Sequence, residues 1–328
     1  MKRRDLLAVG LAGLSTGIFM PHLALAQSPY PDRPIRLVVP FPPGGVFDAI
    51  GRPWADKMKP LLGTVVVENQ GGGGGSLGAA TVARAAADGY TVLMGASMIH
   101  LTELVIKNRP LYDPLKDLEP ISILGVACFA IAVNPSVPAH TLKELVDYAK
   151  ANPGKLSYGT AGAGSLNHLT GEMFKSLAGV PDLGHVPYRG AGPAITDAIA
   201  GHVAMIIPAV TGQVLELHRS GKLRILAVTS PNRLLTASDI PTATEAGYPG
   251  LISQTLLGLF VPTGTPKTIK DQISRATDIA MADASYQQKF ADAGFELVID
   301  ASPEYFRRFV EAEVVRWAPI VNTNGLKQ

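Results

Sequence analysis

Short apolar runs rich in β-branched residues alternate along the chain with segments whose apolar positions recur at helical spacing. The run at 35–41 ends in Pro-Pro-Gly-Gly, which is typical of a buried strand that leads into a tight loop. The segment 48–62 has the spacing of an amphipathic helix, and Pro53 within it predicts a kink or a late start. The further predicted strands are 64–68, 90–94, 156–159, 185–187, 203–207, 223–229, 256–261 and 295–299. The further predicted helices are 77–87, 141–151, 166–177, 193–200, 213–220, 266–284 and 303–321.

This alternation predicts an α/β protein built on mostly parallel sheets. The predicted strands fall into an early group and a middle group, so we expect two separate sheets. The long apolar segments 121–133 and 252–262 are the natural crossings between them. We therefore predict lobe I from 28–128 plus 253–328 and lobe II from 129–252, with the two crossing strands as a hinge. Ligands of open α/β sheets bind beyond the carboxyl ends of the strands, so we expect the ligand in the cleft between the lobes.

The first 26 residues have the organisation of an export signal. Lys2, Arg3 and Arg4 precede an apolar stretch, and the segment 24–26 (ALA) supplies the small-x-small pattern of a signal-peptidase site. A membrane anchor is the weaker alternative, because several glycines and Pro21 interrupt a stretch that is barely long enough to span a bilayer. We expect cleavage after Ala26, with export by the general secretory route or, given the arginine pair, by the twin-arginine route.

Charge and composition exclude several classes of function. Lys and Arg number 29 and Asp and Glu 27, a net charge of +2 without any block of like charge, so no nucleic-acid-binding face is predicted. The single cysteine, Cys128, excludes a disulfide framework and a thiolate zinc cluster. The histidines show no His-x-x-x-His pairing, so we predict no metal site.

A run of five glycines at 71–75 satisfies the spacing of a dinucleotide fingerprint, Gly73-x-Gly75-x-x-Gly78. The next predicted strand, however, ends in Gly-Ala-Ser at 95–97 and lacks the acidic residue that binds a ribose. No Gly-Lys-Ser/Thr of a phosphate-binding loop follows the run either. We therefore expect no nucleotide and no other cofactor.

Three glycine-containing loops that link a predicted strand to a helix carry the candidate chemistry. They are 42–48, 159–165 and 188–193. Backbone N–H groups can approach a ligand closely in such loops, and the N-terminus of a helix favours an anion. Two such ends that face each other across a cleft suit a carboxylate. The pattern leaves an alternative open, in which the glycines serve loop geometry alone and Asp48 and Ser165 only cap helices.

Ser165 and His168 lie three residues apart and could share a helix face, as a nucleophile and its base would. A nucleophile elbow reads G-x-S-x-G, and the sequence around Ser165 does not. We expect Ser165 to cap the following helix and His168 to be a hydrogen-bonded packing residue. A hydrolase that uses this pair stays as the alternative function.

A series of ordered motifs runs through the chain from residue 30 onward. They are 30–45 (YPDRPIRLVVPFPPGG), 66–69 (VVEN), 87–91 (ADGYT), 112–114 (YDP), 134–138 (NPSVP), 153–159 (PGKLSYG), 185–190 (HVPYRG), 221–229 (GKLRILAVT), 240–242 (IPT), 245–247 (EAG) and 262–266 (PTGTP). In these motifs the chain resembles the substrate-binding proteins of tripartite tricarboxylate transporters, the TctC-like family also called Bug receptors. The resemblance covers essentially the whole chain after the predicted leader.

The resemblance implies a periplasmic two-lobe fold of the type II Venus flytrap kind. A protein of this family binds a small organic carboxylate between its lobes and delivers it to the permease subunits of a membrane transporter. It implies a monomeric receptor that is not an enzyme and holds no cofactor or metal. A sensory receptor, which presents the liganded protein to a signalling partner, would have the same lobes and stays a further alternative.

In this family the loop after the first strand and the equivalent loop of the second lobe hold a carboxylate, largely through backbone amides and waters. Transferred to this sequence, the resemblance implies ligand-binding residues in both loops and beside them. They are Phe41, Pro43, Gly44, Gly45, Phe47, Asp48, Ser97, Met98, Ala161, Ala163, Gly164, Ser165, Tyr188, Gly190 and Pro208.

Two positions depart from the family pattern. The family often has Gly-Gly-x-Thr-Asp in the first loop, whereas this chain has Phe47 in place of the threonine. Many members carry an acidic residue after the strand at 203–207, where this chain has Pro208. The loss of two polar groups favours a carboxylate with an aromatic or apolar body over citrate. We expect that ligand to close the lobes through contacts available only in the closed form.

Overall fold

The computed structural model describes residues 30–298 and 302–327, so the predicted leader at 1–26 and Ile299 lie outside the described residues. Two five-stranded sheets organise the fold. The first has the order β2-β1-β3-β10-β4 and consists of β1 (Ile35–Val39), β2 (Val65–Asn69), β3 (Thr91–Ala96), β4 (Leu118–Cys128) and β10 (Gln254–Pro262). The second has the order β7-β6-β8-β5-β9 and consists of β5 (Ala130–Val133), β6 (Ser157–Thr160), β7 (Gly184–Pro187), β8 (Met205–Ile206) and β9 (Arg224–Val228).

Helices connect and flank the strands of both sheets. They are α1 (Val46–Leu62), α2 (Ser76–Ala83), α3 (Ser97–Leu101), α4 (Leu142–Ala151), α5 (Leu166–Ala178), α6 (Ala191–Ala200), α7 (Gly212–Arg219), α8 (Lys267–Met281), α9 (Ala284–Asp292) and α10 (Pro303–Thr323). A π-helical turn, Thr102–Ile106, continues α3. The sequence did not predict α3, this turn or α9. The strand predicted at 295–299 is reduced to a single bridge between Glu296 and Val126.

Each sheet combines parallel and antiparallel pairs, which corrects the prediction of mostly parallel sheets. β1 pairs in parallel with β2 and β3, but β10 runs antiparallel to β3 and β4. The second sheet repeats this arrangement, with β5 antiparallel to β8 and β9. The reason is the crossing between lobes. β5 and β10 enter their sheets from the hinge, whereas the strands paired with them run in the opposite direction. The predicted α/β class and two-lobe architecture are confirmed.

The two crossings between the sheets lie side by side. The apolar segment predicted at 121–133 is divided at Phe129, where β4 of the first sheet gives way to β5 of the second. Thr229 joins both crossings, because its hydroxyl accepts from the N–H of Phe129 at 2.9 Å and lies 2.7 Å from the carbonyl oxygen of Ser253. Sheet membership changes between Cys128 and Ala130, and the exact lobe boundaries stay a prediction.

The C-terminal helix α10 connects the two lobes. Phe306 and Val310, in its first half, pack with Phe260 of the first sheet. Trp317 and Val321, in its second half, are fully buried in a cluster made mainly of second-lobe side chains. The prediction that assigned all of 253–328 to lobe I therefore does not describe the packing of this helix.

Candidate functional site

A cavity of about 830 Å³ lies between the lobes, where strand-to-helix connections of both sheets converge. The first lobe contributes 41–47, 73–74 and residues of α3 and the π-helical turn. The second lobe contributes 161–167, 190–192 and residues between 208 and 214. This is the edge at which open α/β sheets bind ligands, and the cavity has the size of a small-molecule site.

The structure brings most of the sequence-predicted site residues to this one cavity. Those in its wall are Phe41, Pro43, Gly44, Gly45, Phe47, Met98, Ala161, Ala163, Gly164, Ser165, Gly190 and Pro208. Asp48, Ser97 and Tyr188 are not part of the wall. That any of these residues contacts a ligand stays a prediction.

Ser97 and Tyr188 have partners within the protein. The Ser97 hydroxyl is fully buried and accepts from the N–H of Leu256 at 3.1 Å, which ties α3 to β10. The Tyr188 hydroxyl donates to Asp197 at 2.9 Å, and its ring lies so close to Gly159 that a Cβ there would approach it to 3.0 Å. The polar groups of both side chains are therefore used within the protein, next to residues of the wall.

Asp48 does not cap α1, so the alternative that gave it only a capping role is wrong. The helix begins at Val46, two residues earlier than predicted, and Gly45 is its N-cap. Asp48 is the third residue of the helix, and its carboxylate accepts from the N–H of Gly44 at 2.9 Å. The side chain thus folds back onto the loop and fixes its turn. It performs this task from inside the helix because Pro-Pro-Gly-Gly places no polar side chain at the cap.

The Asp48 carboxylate is buried and surrounded by donors. Burial raises the pKa of Asp48, but hydrogen bonds from Arg52, Gly44 and Asn69 outweigh burial and hold the pKa below its usual value. Arg52 and Asn69 each lie 2.9 Å from a carboxylate oxygen. The negative charge behind the first loop is therefore balanced by Arg52 and does not leave a free anion beside the cavity.

Several loop amides that the sequence suggested as ligand donors already have partners. The N–H of Gly44 is bound to Asp48, and that of Gly45 points to the Pro42 carbonyl oxygen at 3.4 Å. In the second loop the N–H of Gly164 donates to the Nδ1 atom of His168 at 3.1 Å. These glycines shape the wall, and their amides are occupied by the protein itself.

Two helix N-termini contribute open backbone amides to the cavity wall. α1 and α6 begin after Gly45 and Gly190 without any side-chain cap, and their first residues line the cavity. The first N–H groups of a helix have no partner within it, and the helix dipole adds partial positive charge there. α1 thus presents the N–H groups of 46–47, and α6 those of 191–192, since the next residue is a proline. One helix end comes from each lobe.

The second loop uses Ser165 and His168 as structural groups. Ser165 is the N-cap of α5, as predicted, and accepts from the backbone N–H of His168 at 3.3 Å. Its own hydroxyl donates to the Gly162 carbonyl oxygen at 2.6 Å. The serine proton and the imidazole acceptor are therefore both used by the loop backbone instead of by each other. This is the geometry of a capped helix, without the nucleophile–base hydrogen bond of a hydrolase.

A stacked pair of histidines supports this loop from behind. The rings of His168 and His185 are 3.8 Å apart and nearly parallel, and the Nε2 atom of His185 lies 2.7 Å from the Thr160 hydroxyl. Burial lowers the pKa of both rings, and the pKa of His185 falls to about 4. The charge of Glu172 raises the pKa of both histidines and the charge of Lys175 lowers it, and burial outweighs both. The hydrogen bond from the Gly164 N–H requires a neutral His168 ring, because a protonated Nδ1 atom cannot accept it.

Lowering the pH from about 7 to about 4 is expected to reduce the free energy of unfolding, and less steeply in His185→Gln than in the wild type. The folded-state pKa of His185 is about 4 and its ordinary value is 6.5. In this window the unfolded chain therefore binds a proton that the folded protein does not. The stabilisation is fully present above the unfolded pKa and is lost as the pH falls to the folded one. Urea unfolding across this range measures both slopes, and equal slopes would contradict the assignment.

The sequence did not identify one end of the cavity. Thr102 and Lys107, at the start of the π-helical turn and directly after it, and Gly73 and Gly74, from the glycine run, all belong to the wall. In the sequence the glycine run matches only the spacing of a nucleotide-binding pattern, and Lys107 lies in no motif. The one signal in the sequence is that Glu103 and Lys107 are four residues apart, which is the spacing of an ion pair on a helix.

Within residues 30–298 and 302–327, no group of three or more His, Cys, Asp or Glu side chains is placed to hold a metal ion. None of the helices there combines the length and the apolar character that crossing a bilayer requires.

The fold and the cleft define a two-lobe protein of the periplasmic binding protein class. The sequence pattern of one family, described as tripartite tricarboxylate transporter family receptor, matches residues 50–326. The chain belongs to this family, and the resemblance inferred from its motifs is confirmed. Members of the family are solute-binding receptors of the periplasm.

Individual relatives agree with this assignment. The protein BugT of Bordetella pertussis is 35% identical over 326 residues, which cover 99% of this chain and 98% of BugT. The solved structure of the periplasmic binding protein BugD matches with a TM-score of 0.78 at 34% identity, and covers 91% of this chain and 99% of BugD. A protein of R. palustris, solved with adipate, matches with a TM-score of 0.79 at 33% identity, over 90% of this chain and 98% of that one.

Proposed function

We propose that this protein is an exported, monomeric receptor that binds a small organic carboxylate between its lobes and delivers it to the membrane subunits of a tripartite transporter. One observation carries the proposal. The uncapped N-termini of α1 and α6, one from each lobe, present open backbone N–H groups to the same cavity. A carboxylate has two oxygens that accept such bonds, and hydrogen bonds to a charged group are worth about 1.5–3 kcal/mol each.

A carboxylate held in this way links the two lobes. A ligand that contacts α1 alone or α6 alone would bind any lobe arrangement equally well. A ligand that contacts both favours the arrangement in which the two helix ends are close enough to share it. The transporter can then distinguish loaded from empty receptor by the relative position of the lobes.

The cavity wall favours a cargo with an aromatic or apolar body. The rings of Phe41 and Phe47 pack together with their centroids 4.5 Å apart, and Pro208 lies in the opposite, second-lobe part of the wall. Most of the remaining wall is also apolar. Citrate would bring three charged groups to this surface, and each buried charge without a partner is costly.

Calorimetric titration with benzoate, hexanoate and citrate tests this proposal, with benzamide as a control that keeps the aromatic body and removes the charge. We expect at least one of the two apolar-bodied acids to bind more tightly than citrate, and benzamide to bind at least tenfold more weakly than benzoate. Tight binding of citrate alone would contradict the preference for an apolar body. X-ray scattering should show compaction with the bound acid, and no compaction with any carboxylate would contradict the receptor mechanism.

The same titrations separate the alternatives. A hydrolase would convert its substrate, and Ser165→Ala would abolish that conversion, whereas a receptor binds one equivalent and releases it unchanged. A sensory receptor would bind its ligand in the same way and differ only in its partner. Export through the leader predicted at 1–26, with cleavage after Ala26, belongs to the proposal and is tested by the N-terminal sequence of the protein isolated from the periplasm.

A further inference from the structure

One end of the cavity carries a charge. Lys107 follows the π-helical turn, and within the described part of the chain it is the only charged residue in the cavity wall. Its side chain is 19% exposed, so the ammonium lies largely inside the protein. Thr102, from the same turn, is its polar neighbour in the wall. We call this part of the wall, Thr102 with Lys107, the lysine end.

The charge of Lys107 is already balanced. Its Nζ atom lies 2.6 Å from a carboxylate oxygen of Glu103, whose side chain is fully buried. The other oxygen of Glu103 accepts from the backbone N–H of Leu111. Glu103 is thus fixed in its place with its negative charge directly behind the lysine. An ammonium has three N–H donors, and Glu103 uses one of them.

The glycine run leaves space in front of the ammonium. A Cβ added to Gly73 would lie 3.8 Å from the Nζ atom of Lys107, and one added to Gly74 would lie 3.7 Å from the Thr102 hydroxyl. A side chain at either position would therefore occupy space directly beside the lysine end. With glycine at both, a ligand atom can reach the donors of Lys107.

We propose that Lys107 determines specificity and that the cargo carries, besides the bound carboxylate, a neutral hydrogen-bond acceptor such as a hydroxyl or carbonyl oxygen that Lys107 binds. This inference rests on the proposed function. A neutral acceptor gains a hydrogen bond from the ammonium and disturbs no charge. A second carboxylate would be attracted by Lys107 and repelled by the buried Glu103 behind it, and it would also lose its water. The lysine end therefore selects against dicarboxylates.

Three acids with the same six-carbon chain test the proposal. They are hexanoate, 6-hydroxyhexanoate and hexanedioate, whose far ends are a methyl group, a hydroxyl group and a second carboxylate. The length is chosen because a similar protein was solved with adipate, which is hexanedioate. For the wild-type protein, calorimetry should give 6-hydroxyhexanoate an affinity about tenfold or more above both of the other acids.

Two variants assign the effect to the lysine end. In Lys107→Met the advantage of 6-hydroxyhexanoate over hexanoate should disappear, while hexanoate binding changes little. In Glu103→Gln the repulsion is removed, so hexanedioate should gain about tenfold or more relative to hexanoate. Lys143→Met is the matched control, since Lys143 also pairs with a carboxylate four residues away, Asp147, but lies on the exposed face of α4. It should leave all three affinities unchanged.

Lys107→Met leaves Glu103 buried without its partner and can lower stability, so thermal unfolding accompanies each titration. If that variant does not fold, the double variant Glu103→Gln/Lys107→Met replaces it and should show the same loss of the hydroxyl preference. Equal wild-type affinities for hexanoate and 6-hydroxyhexanoate, or a preference that survives the loss of the lysine, would overturn the proposal. Binding of some other carboxylate but of none of these three would overturn it and leave the proposed function standing. A protein that binds no carboxylate at all would overturn both.

Discussion

Gly164→Val is expected to weaken carboxylate binding about tenfold to a hundredfold while the protein stays folded. Gly164 lines the cavity with a φ of +73°, a conformation that a β-branched residue adopts only with strain of about 1–3 kcal/mol. The loop can relieve that strain by moving, and it then loses the bond from Gly164 to His168 and reshapes the second-lobe wall. Calorimetry with the acid that binds most tightly to the wild type measures the loss.

Gly154→Val is the control for this variant. Gly154 has nearly the same φ, +74°, and a Cβ there would have no neighbour within 4 Å. It lies outside the interlobe cavity, so it should reduce stability to a similar extent and leave the affinity unchanged. Equal affinities for Gly164→Val and the wild type would show that the second loop takes no part in binding.

Trp317→Ala is expected to lower the free energy of unfolding by about 3–5 kcal/mol, the usual cost of removing a large aromatic side chain from a core. Trp317 is fully buried among second-lobe side chains, although its helix begins on the first lobe. Its ring N–H also donates to the buried carboxylate of Glu313 at 2.6 Å, so the variant removes one of that group's donors. Because α10 packs against both lobes, Trp317→Ala should also weaken the coupling between the lobes.

Val315→Ala is the control for the tryptophan variant, because Val315 lies on the same helix but is 76% exposed. It should change the free energy of unfolding by no more than about 0.5 kcal/mol. Urea unfolding measures both variants. A loss below about 1 kcal/mol for Trp317→Ala would contradict the bridging role of α10, since removal of a buried aromatic anchor normally costs several times more.

The α/β class and most strands could be predicted because their signals are local. The apolar residues of 35–41 predict a buried strand, and the Pro-Pro-Gly-Gly directly after them predicts where it ends. The cap of α5 could likewise be predicted from the single position Ser165. The direction of β10 within its sheet could not be predicted from local residues, because it depends on where the chain returns from the other lobe. α3 was missed because it has only five residues and buries polar groups such as His100 against the core.

Most residues of the cavity wall could be predicted from the sequence for a similar reason, whereas their contact with a ligand stays a prediction. Glycines between a strand and a helix mark a loop that can approach a ligand, and all three loops predicted on this basis contribute residues to the cavity wall. Which amides stay open depends on tertiary contacts, such as those of Asp48 with Gly44 and of His168 with Gly164. Lys107 enters the wall through a π-helical turn, and no periodicity in the sequence signals such a turn.

A crystal structure of the protein with the acid that copurifies with it tests the central claim most directly. We predict an intact acid in the interlobe cavity, with its carboxylate oxygens within hydrogen-bond distance of backbone N–H groups of both 46–47 and 191–192. An acid bound outside this cavity, one held by a single lobe, or one found chemically altered would contradict the account.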